Sequence, residues 1–456
     1  MKKWLLALYI FSSVSGFTQT ISMDFPAFAG KSYDFIIFQG SRQEKVQQDT
    51  IPENGKFTLT IPSEFAPYTG MCRWLITNST EGGGLDMAIP GHDFSIRCLS
   101  AQPNETNIDY DGFNAVNELN KLYQEQQVII DKFETMSKAT QLYDKKNSLY
   151  SIFQKEKDIQ VEAYNDFHKN LKKNPSFNAR FLPISNLIRG TPPQLTDDYD
   201  EQALVVNKYI TQQMSIEDLY VSGHWISIIQ SWVMLQINVI NDKQKFTQDF
   251  KRISDRIQNA NHYNDFVDKV TYYLTAFGKD SYTNAIAHTV LNSGKVEEFL
   301  GSMQIYLKAM IGTRAPDLFI NDHIGQSENQ KHGSGVLKSR DFTNEELSKT
   351  LLIFYQSGCG PCENLLPQLE GNYLQLKEKG VRLISISADT DHQIFENTAK
   401  SHPWVDKYCD TRGMSGPNFK RYGVVGTPTM FLLDKAGRIL LRTADLGEVL
   451  TELKDK

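Results

Sequence analysis

The chain has little cysteine, no excess of basic residues and no long apolar run beyond its N-terminus. The missing basic excess bears on partners. Lys and Arg number 48 against 54 Asp and Glu, a formal net charge of −6 over 456 residues. Without surplus cations there is nothing to neutralise a phosphate backbone, so no nucleic-acid partner is expected. The longest later apolar stretch, residues 225–240, is interrupted by Gln230, Gln236 and Asn238. It reads as a buried helix rather than a bilayer span. His-Glu-x-x-His spacing is absent, which removes that class of zinc hydrolase. Phe277-Gly-Lys-Asp280 is not a phosphate loop. Asp280 stands where Ser or Thr is required, and Tyr273 where the first Gly belongs. No metal and no cofactor are expected.

What is present begins with an address. Lys2 and Lys3 precede the apolar residues 4–14, and Ser13, Ser15 and Gly16 are small. This is the pattern of a secretory signal, assigned to residues 1–19, with cleavage expected between residues 14 and 20. The competing reading is an uncleaved anchor, but the run is well short of the ~20 residues a span needs. The expected location is therefore periplasmic. The five cysteines are Cys72, Cys98, Cys359, Cys362 and Cys409. An exported chain can keep disulfides, and an odd count leaves at least one thiol outside an internal pair.

The length calls for two or three domains. Residues 20–110 carry β signals: Tyr33 to Phe38 is aromatic and β-branched, Asn54-Gly55 marks a turn, and Lys56-Phe-Thr-Leu-Thr-Ile61 alternates. A small antiparallel sandwich or barrel is expected. Cys72 shares a face with Trp74 and Ile76, and Cys98 with Phe94 and Ile96. Both read as buried thiols, with a mutual disulfide as the alternative. From 111 to 310 the period turns helical, with stripes such as Trp225, Ile228, Ile229 and Trp232. Eight to ten helices are expected, packed as an irregular bundle with no chemistry of their own. Residues 311–456 form the last domain. The fold class is thus multidomain: a β-sandwich-like N-terminal domain, an all-α middle domain and an α/β C-terminal domain.

Chemistry concentrates at Leu351-Leu-Ile-Phe-Tyr-Gln-Ser-Gly-Cys359-Gly-Pro-Cys362. The apolar run reads as a strand buried on both faces, and Ser357-Gly358 as a turn. Behind the cysteines, Leu365, Leu366, Leu369, Tyr373 and Leu376 have helical spacing. Two cysteines so spaced at a helix start can form a disulfide. The helix N-terminus favours a thiolate on Cys359, and a thiolate is what attacks a disulfide. A zinc site needs about four ligands, and Cys409 has no partner spacing.

This stretch resembles the thioredoxin-like proteins, in particular the TlpA/ResA-like thiol-disulfide oxidoreductases of bacterial envelopes. The resemblance is carried by Cys359-Gly-Pro-Cys362, Pro367, the strand Val381-Arg-Leu-Ile-Ser-Ile-Ser387, and Gly423-Val-Val-Gly-Thr-Pro428-Thr-Met-Phe-Leu-Leu433. It implies a redox-active disulfide between Cys359 and Cys362. It also implies a cis bond at Pro428, with Thr427 and Pro428 binding substrate. Two family features are missing. Ile353 replaces the buried aspartate found before the first cysteine in thioredoxin, and Leu365 replaces a glutamate common among the TlpA/ResA-like proteins. Glu363 is then the candidate acid/base. A peroxidase is a poor reading, because Gln356 and Leu352 occupy the positions that chemistry needs.

The expected function is reduction of disulfides in envelope client proteins. Cys359 attacks and Cys362 resolves. The expected partners are protein disulfide substrates and a membrane electron donor, and a homo-oligomer is one use the N-terminal two-thirds could serve. The alternative is an envelope interaction protein whose main work is done by the sandwich and bundle.

Overall fold

The computed structural model describes residues 18–78, 83–104, 106–113, 115–320, 335–343 and 347–454. Nearly all of the signal expected over residues 1–19 lies outside them. The chain forms two compact units, residues 1–228 and 229–456.

In the first unit, alternating sequences give two four-stranded sheets. One is ordered β4-β1-β7-β8, from Lys56–Ile61, Gln19–Asp24, Phe94–Arg97 and Asp109–Asp111. The other is ordered β3-β2-β5-β6, from Arg42–Thr50, Ser32–Gln39, Thr69–Thr77 and Gly84–Pro90. Their inward residues, including Tyr33, Phe35, Ile37, Leu59 and Trp74, share one core. Pairing is antiparallel except between β1 and β7, which run parallel. The expectation of a wholly antiparallel sheet is corrected there. Five strands separate β1 from β7, and four of these lie in the other sheet, so a crossover rather than a hairpin sets their direction. Cys72 and Cys98 are buried in this core as free thiols. Burial pushes the Cys72 thiol well up.

Helices follow: α1 Ala115–Leu142, α2 Ser148–Leu171, α3 Phe177–Ile188, α4 Tyr199–Gln212 and α5 Ile216–Tyr220. Asn147, Ser176, Asp198 and Ser215 cap the last four through their side chains. The boundary between units falls within α6, Trp225–Met234. The second unit continues with α7 Lys243–Arg256, α8 Ala260–Ala276, α9 Asp280–Leu291 and α10 Gly301–Leu307. After α6 the chain winds as a π-helix over Leu235–Ile240. Gln236 there is fully buried and donates to Asp249 at 3.1 Å, which Lys245 and Arg252 also reach, at 3.0 and 2.6 Å. A buried carboxylate demands such partners.

The rest of the second unit is built on a five-stranded sheet ordered β13-β12-β11-β14-β15. A short hairpin, β9 Leu318–Ile320 with β10 Gly335–Leu337, precedes it. The sheet strands are β11 Lys349–Tyr355, β12 Val381–Ser387, β13 Asp406–Cys409, β14 Thr429–Leu433 and β15 Ile439–Thr443. The first three are parallel, and β14 and β15 are antiparallel to their neighbours. Central β11 is buried on both faces, as its apolar run implies: residues 351–355 are all 0% exposed. Leu351, Ile353 and Tyr355 pack under α11 Gly360–Glu378 and α14 Leu446–Glu452. Leu352 and Phe354 pack on the opposite side with Phe419 and Tyr422 of α13 Pro417–Tyr422. α12, His392–Ser401, connects β12 to β13. Among the described residues, no helix is long and apolar enough to cross a membrane.

Candidate active site

The site lies where β11 ends. Parallel pairing sets Tyr355 beside Ser387 and Ser387 beside Cys409. Parallel sheets collect functional groups at the carboxyl ends of their strands. The turn out of β11 needs Gly358, whose φ is +74°, a backbone conformation that L-residues avoid. Cys359 is then the N-cap of α11. Its Sγ accepts from the Cys362 backbone N–H at 3.3 Å, the role Ser or Asp plays at other helix starts. Pro361 sits in the first turn, where a missing N–H is harmless.

Cys359 and Cys362 are joined as a disulfide with their Cα atoms 5.2 Å apart. The two sulfurs have different surroundings. Cys359 is half-buried and borders the exposed turn, while Cys362 is fully buried among Tyr355, Leu365, Leu366 and Trp404. The Thr427–Pro428 bond, expected to be cis, is cis. It places Thr427 O at 3.4 Å and Thr427 Oγ1 at 3.6 Å from Cys359 Sγ. Val425, just before this loop's Gly426, is 55% exposed. The Thr427 carbonyl and hydroxyl therefore stand beside the outer sulfur.

The remaining candidate residue, Glu363, is exposed on the outer face of α11. Its backbone N–H donates to Cys359 O at 2.9 Å. Among the described residues, no contact joins its carboxylate to either sulfur. Ile353 and Leu365 are buried hydrocarbon, 0% and 5% exposed, so neither position supplies a carboxylate. Cys409 is buried and outside any disulfide, with its Sγ 3.3 Å from Asp389 O.

Sequence reasoning missed Asp389. It is 4% exposed and accepts from Ser357 N at 2.9 Å and from Ser357 Oγ at 2.6 Å. Its only sequence signal is its place two residues after β12, whose end lies beside the end of β11. Also behind the site, His402 Nδ1 meets Glu370 Oε1 at 2.7 Å and its ring stacks on Trp404, with centroids 4.6 Å apart. Burial lowers the His402 pKa, and Glu370 opposes that only in part.

A mixed sheet whose central strand leads into a cysteine-capped helix, with a cis-proline loop against the outer sulfur, defines a thioredoxin-fold disulfide exchanger. Comparison with known proteins takes this further. The family described as thioredoxin-like matches residues 348–439. Thiol-disulfide oxidoreductase ResA of Bacillus thuringiensis subsp. konkukian is 30% identical over 133 residues, covering 29% of this chain and 69% of that protein. Human nucleoredoxin is 31% identical over 108 residues, covering 23% of this chain and 25% of that protein. A solved thioredoxin-like protein from Bacteroides caccae aligns with 58% of this chain and 98% of its own, at 17% identity and a TM-score of 0.40. The chain belongs to the thioredoxin-like thiol-disulfide oxidoreductases, and is an enzyme of that class.

Proposed function

We propose that this enzyme reduces disulfides of client proteins in the bacterial envelope through Cys359 and Cys362. The carrying observation is the unequal setting of the two sulfurs. Cys359 is at the rim and caps a helix, whereas Cys362 is fully buried. In the reduced enzyme, the Cys359 thiolate attacks one sulfur of a client disulfide. A mixed disulfide forms and one client thiolate leaves. Cys362 then gives up its proton and attacks Cys359 Sγ, which releases the second client thiol and closes the enzyme disulfide. Two electrons pass to the client, so a dithiol or membrane donor must return two electrons per turnover. Thr427 and Pro428 are assigned to align an extended client segment, with Val425 beside it. Glu363 is the one candidate acid/base carried from the sequence. Its exposure favours a first-turn charge over direct proton transfer to Cys362.

The proposal includes a cleaved signal over 1–19, a periplasmic location, and domains at 20–110, 111–310 and 311–456. The second reading, an envelope interaction protein, draws on one observation: the ResA match spans only 29% of the chain. Client trapping separates the readings. Cys362→Ser should accumulate mixed disulfides through Cys359, and Cys359→Ser almost none. If neither variant traps clients and the purified protein fails to reduce insulin, the reductase reading is wrong. If Cys359→Ser is the better trap, the two roles are reversed.

A further inference from the structure

The disulfide itself holds Cys359 in place only while the enzyme is oxidised. Once it opens, the sulfur's position depends on the turn at 356–358. That turn has one buried side-chain anchor, Asp389, delivered from the end of the neighbouring strand β12. Both carboxylate oxygens accept from the same residue: Oδ1 from Ser357 N at 2.9 Å and Oδ2 from Ser357 Oγ at 2.6 Å. A serine hydroxyl has a single proton. With that proton given to Asp389, Ser357 Oγ also lies 2.9 Å from Thr398 Oγ1. The carboxylate is fixed in turn, because its own backbone N–H is held by Ser387 Oγ at 3.0 Å. The strand register is carried one step past the sheet by Ala388 N donating to Tyr355 O at 2.8 Å. Two residues beyond Ser357, the Cys359 sulfur meets the Cys362 N–H and the Thr427 carbonyl.

We infer that Asp389 is a positioning residue for the nucleophile: through Ser357 it holds the reduced Cys359 at the N-terminus of α11 and against the cis-proline loop. It does not touch the sulfur and moves no proton. Two paired hydrogen bonds to one residue fix both the direction and the height of the turn, and the buried site shields them from competing water. An untethered turn would let the thiolate leave the amides that stabilise it. The reduced form would then lose stability relative to the disulfide. Small displacements of a reacting group are costly in rate. The titratable groups packed near this anchor are Tyr355 of β11 and Cys409 of β13, whose Sγ is 3.3 Å from Asp389 O. Glu363 is the acidic group on α11's first turn.

The inference rests on Cys359 being the attacking sulfur. Its test reads the enzyme's own dithiol and needs no client. Asp389→Asn and Asp389→Ala both remove the charge, but only the asparagine keeps an acceptor for Ser357 N and a group to pair with Ser357 Oγ. The difference between them therefore isolates the tether from the field of the carboxylate. The full-length protein is equilibrated with glutathione redox buffers, and the reduced form is alkylated across pH. Relative to Asp389→Asn, Asp389→Ala should shift the dithiol–disulfide equilibrium about three- to tenfold toward the disulfide. It should also raise the pH midpoint of Cys359 alkylation by about half a unit or more, roughly threefold in thiolate fraction at a given pH. The oxidised forms of the two variants should melt alike, since the disulfide then holds the turn. If the variants match in both redox equilibrium and alkylation profile, the inference fails. It also fails if Asp389→Ala weakens oxidised and reduced forms equally, because that marks a purely structural role. Should Asp389→Ala not fold, Ser357→Ala removes the Oγ contacts with Asp389 and Thr398 but keeps the backbone N–H bond to Asp389. It must then shift both readouts in the same direction by a smaller factor, and no shift overturns the inference.

Discussion

At the scale of single residues, two glycines show how differently one residue type is used around this site. Gly358 has φ +74° with no atom within 4 Å of where a Cβ would stand. Gly423, which opens the cis-proline loop, has φ +60°, and a Cβ there would stand 2.1 Å from the Ile305 carbonyl oxygen. The first needs glycine for conformation alone, the second for conformation and space. Gly358→Ala should therefore lower stability by about 1–2 kcal/mol, the price of a left-handed alanine. Gly423→Ala should lower it by roughly 3 kcal/mol or more, because backbone cannot move aside as a side chain can. Urea unfolding of the two variants compares them directly, and equal losses would contradict the distinction. The turn at Ser357-Gly358 and the cysteine pair were legible because each is a local pattern of residue type and spacing. Asp389 was not. It is 32 residues from Ser357, and only the parallel register of β11 and β12 brings the two together.

At the scale of elements, periodicity gave helices and strands their type, because apolar spacing records which face is buried. The parallel β1–β7 pair and the π turn after α6 were illegible, since both depend on distant partners rather than local pattern. Helix α2 carries a measurable consequence of burial. His168 sits in its last turn, 4.5 Å from the Tyr164 ring by centroid, and its Nε2 is buried. Burial, helped by nearby Lys172, lowers its pKa from 6.5 to about 4. The unfolded chain therefore binds a proton that the folded chain refuses between those values. Stability contributed by the neutral ring is complete above pH 6.5 and is lost as pH falls toward 4. Between pH 7 and pH 5 the loss should be about 2 kcal/mol. His168→Gln should flatten this part of the stability profile in urea titrations at the two pH values. An unchanged slope would mean that His168 is not the group responsible.

At the scale of the whole molecule, the second unit binds its helices to its sheet through a buried ion pair. Arg442 of β15 is 2% exposed and Asp280, at the start of α9, is 5% exposed, with Nε and Oδ2 3.4 Å apart. Arg442 Nη2 also donates to Gly423 O at 2.9 Å, and the guanidinium lies 5.2 Å from the Tyr306 ring centroid and 5.3 Å from that of Phe431. In the sequence, Asp280 registers only as the residue that spoils a phosphate loop, and no motif draws in Arg442. Nothing local links residues 162 apart in number. A buried pair adds little over well-packed hydrocarbon, but losing one member strands the other charge. Asp280→Ala should thus cost about 3–5 kcal/mol, leaving the guanidinium without its counter-ion. Asp280→Leu combined with Arg442→Met should cost less than half as much, even though the Gly423 carbonyl then loses its donor. Because Gly423 opens the loop that ends at Thr427 and Pro428, Asp280→Ala should also slow disulfide exchange at temperatures where the variant is still folded. Thermal unfolding and insulin reduction on the same preparations read both effects. A single variant as stable as wild type, or a double variant weaker than the single, would show that this pair does not couple the helices to the catalytic loop.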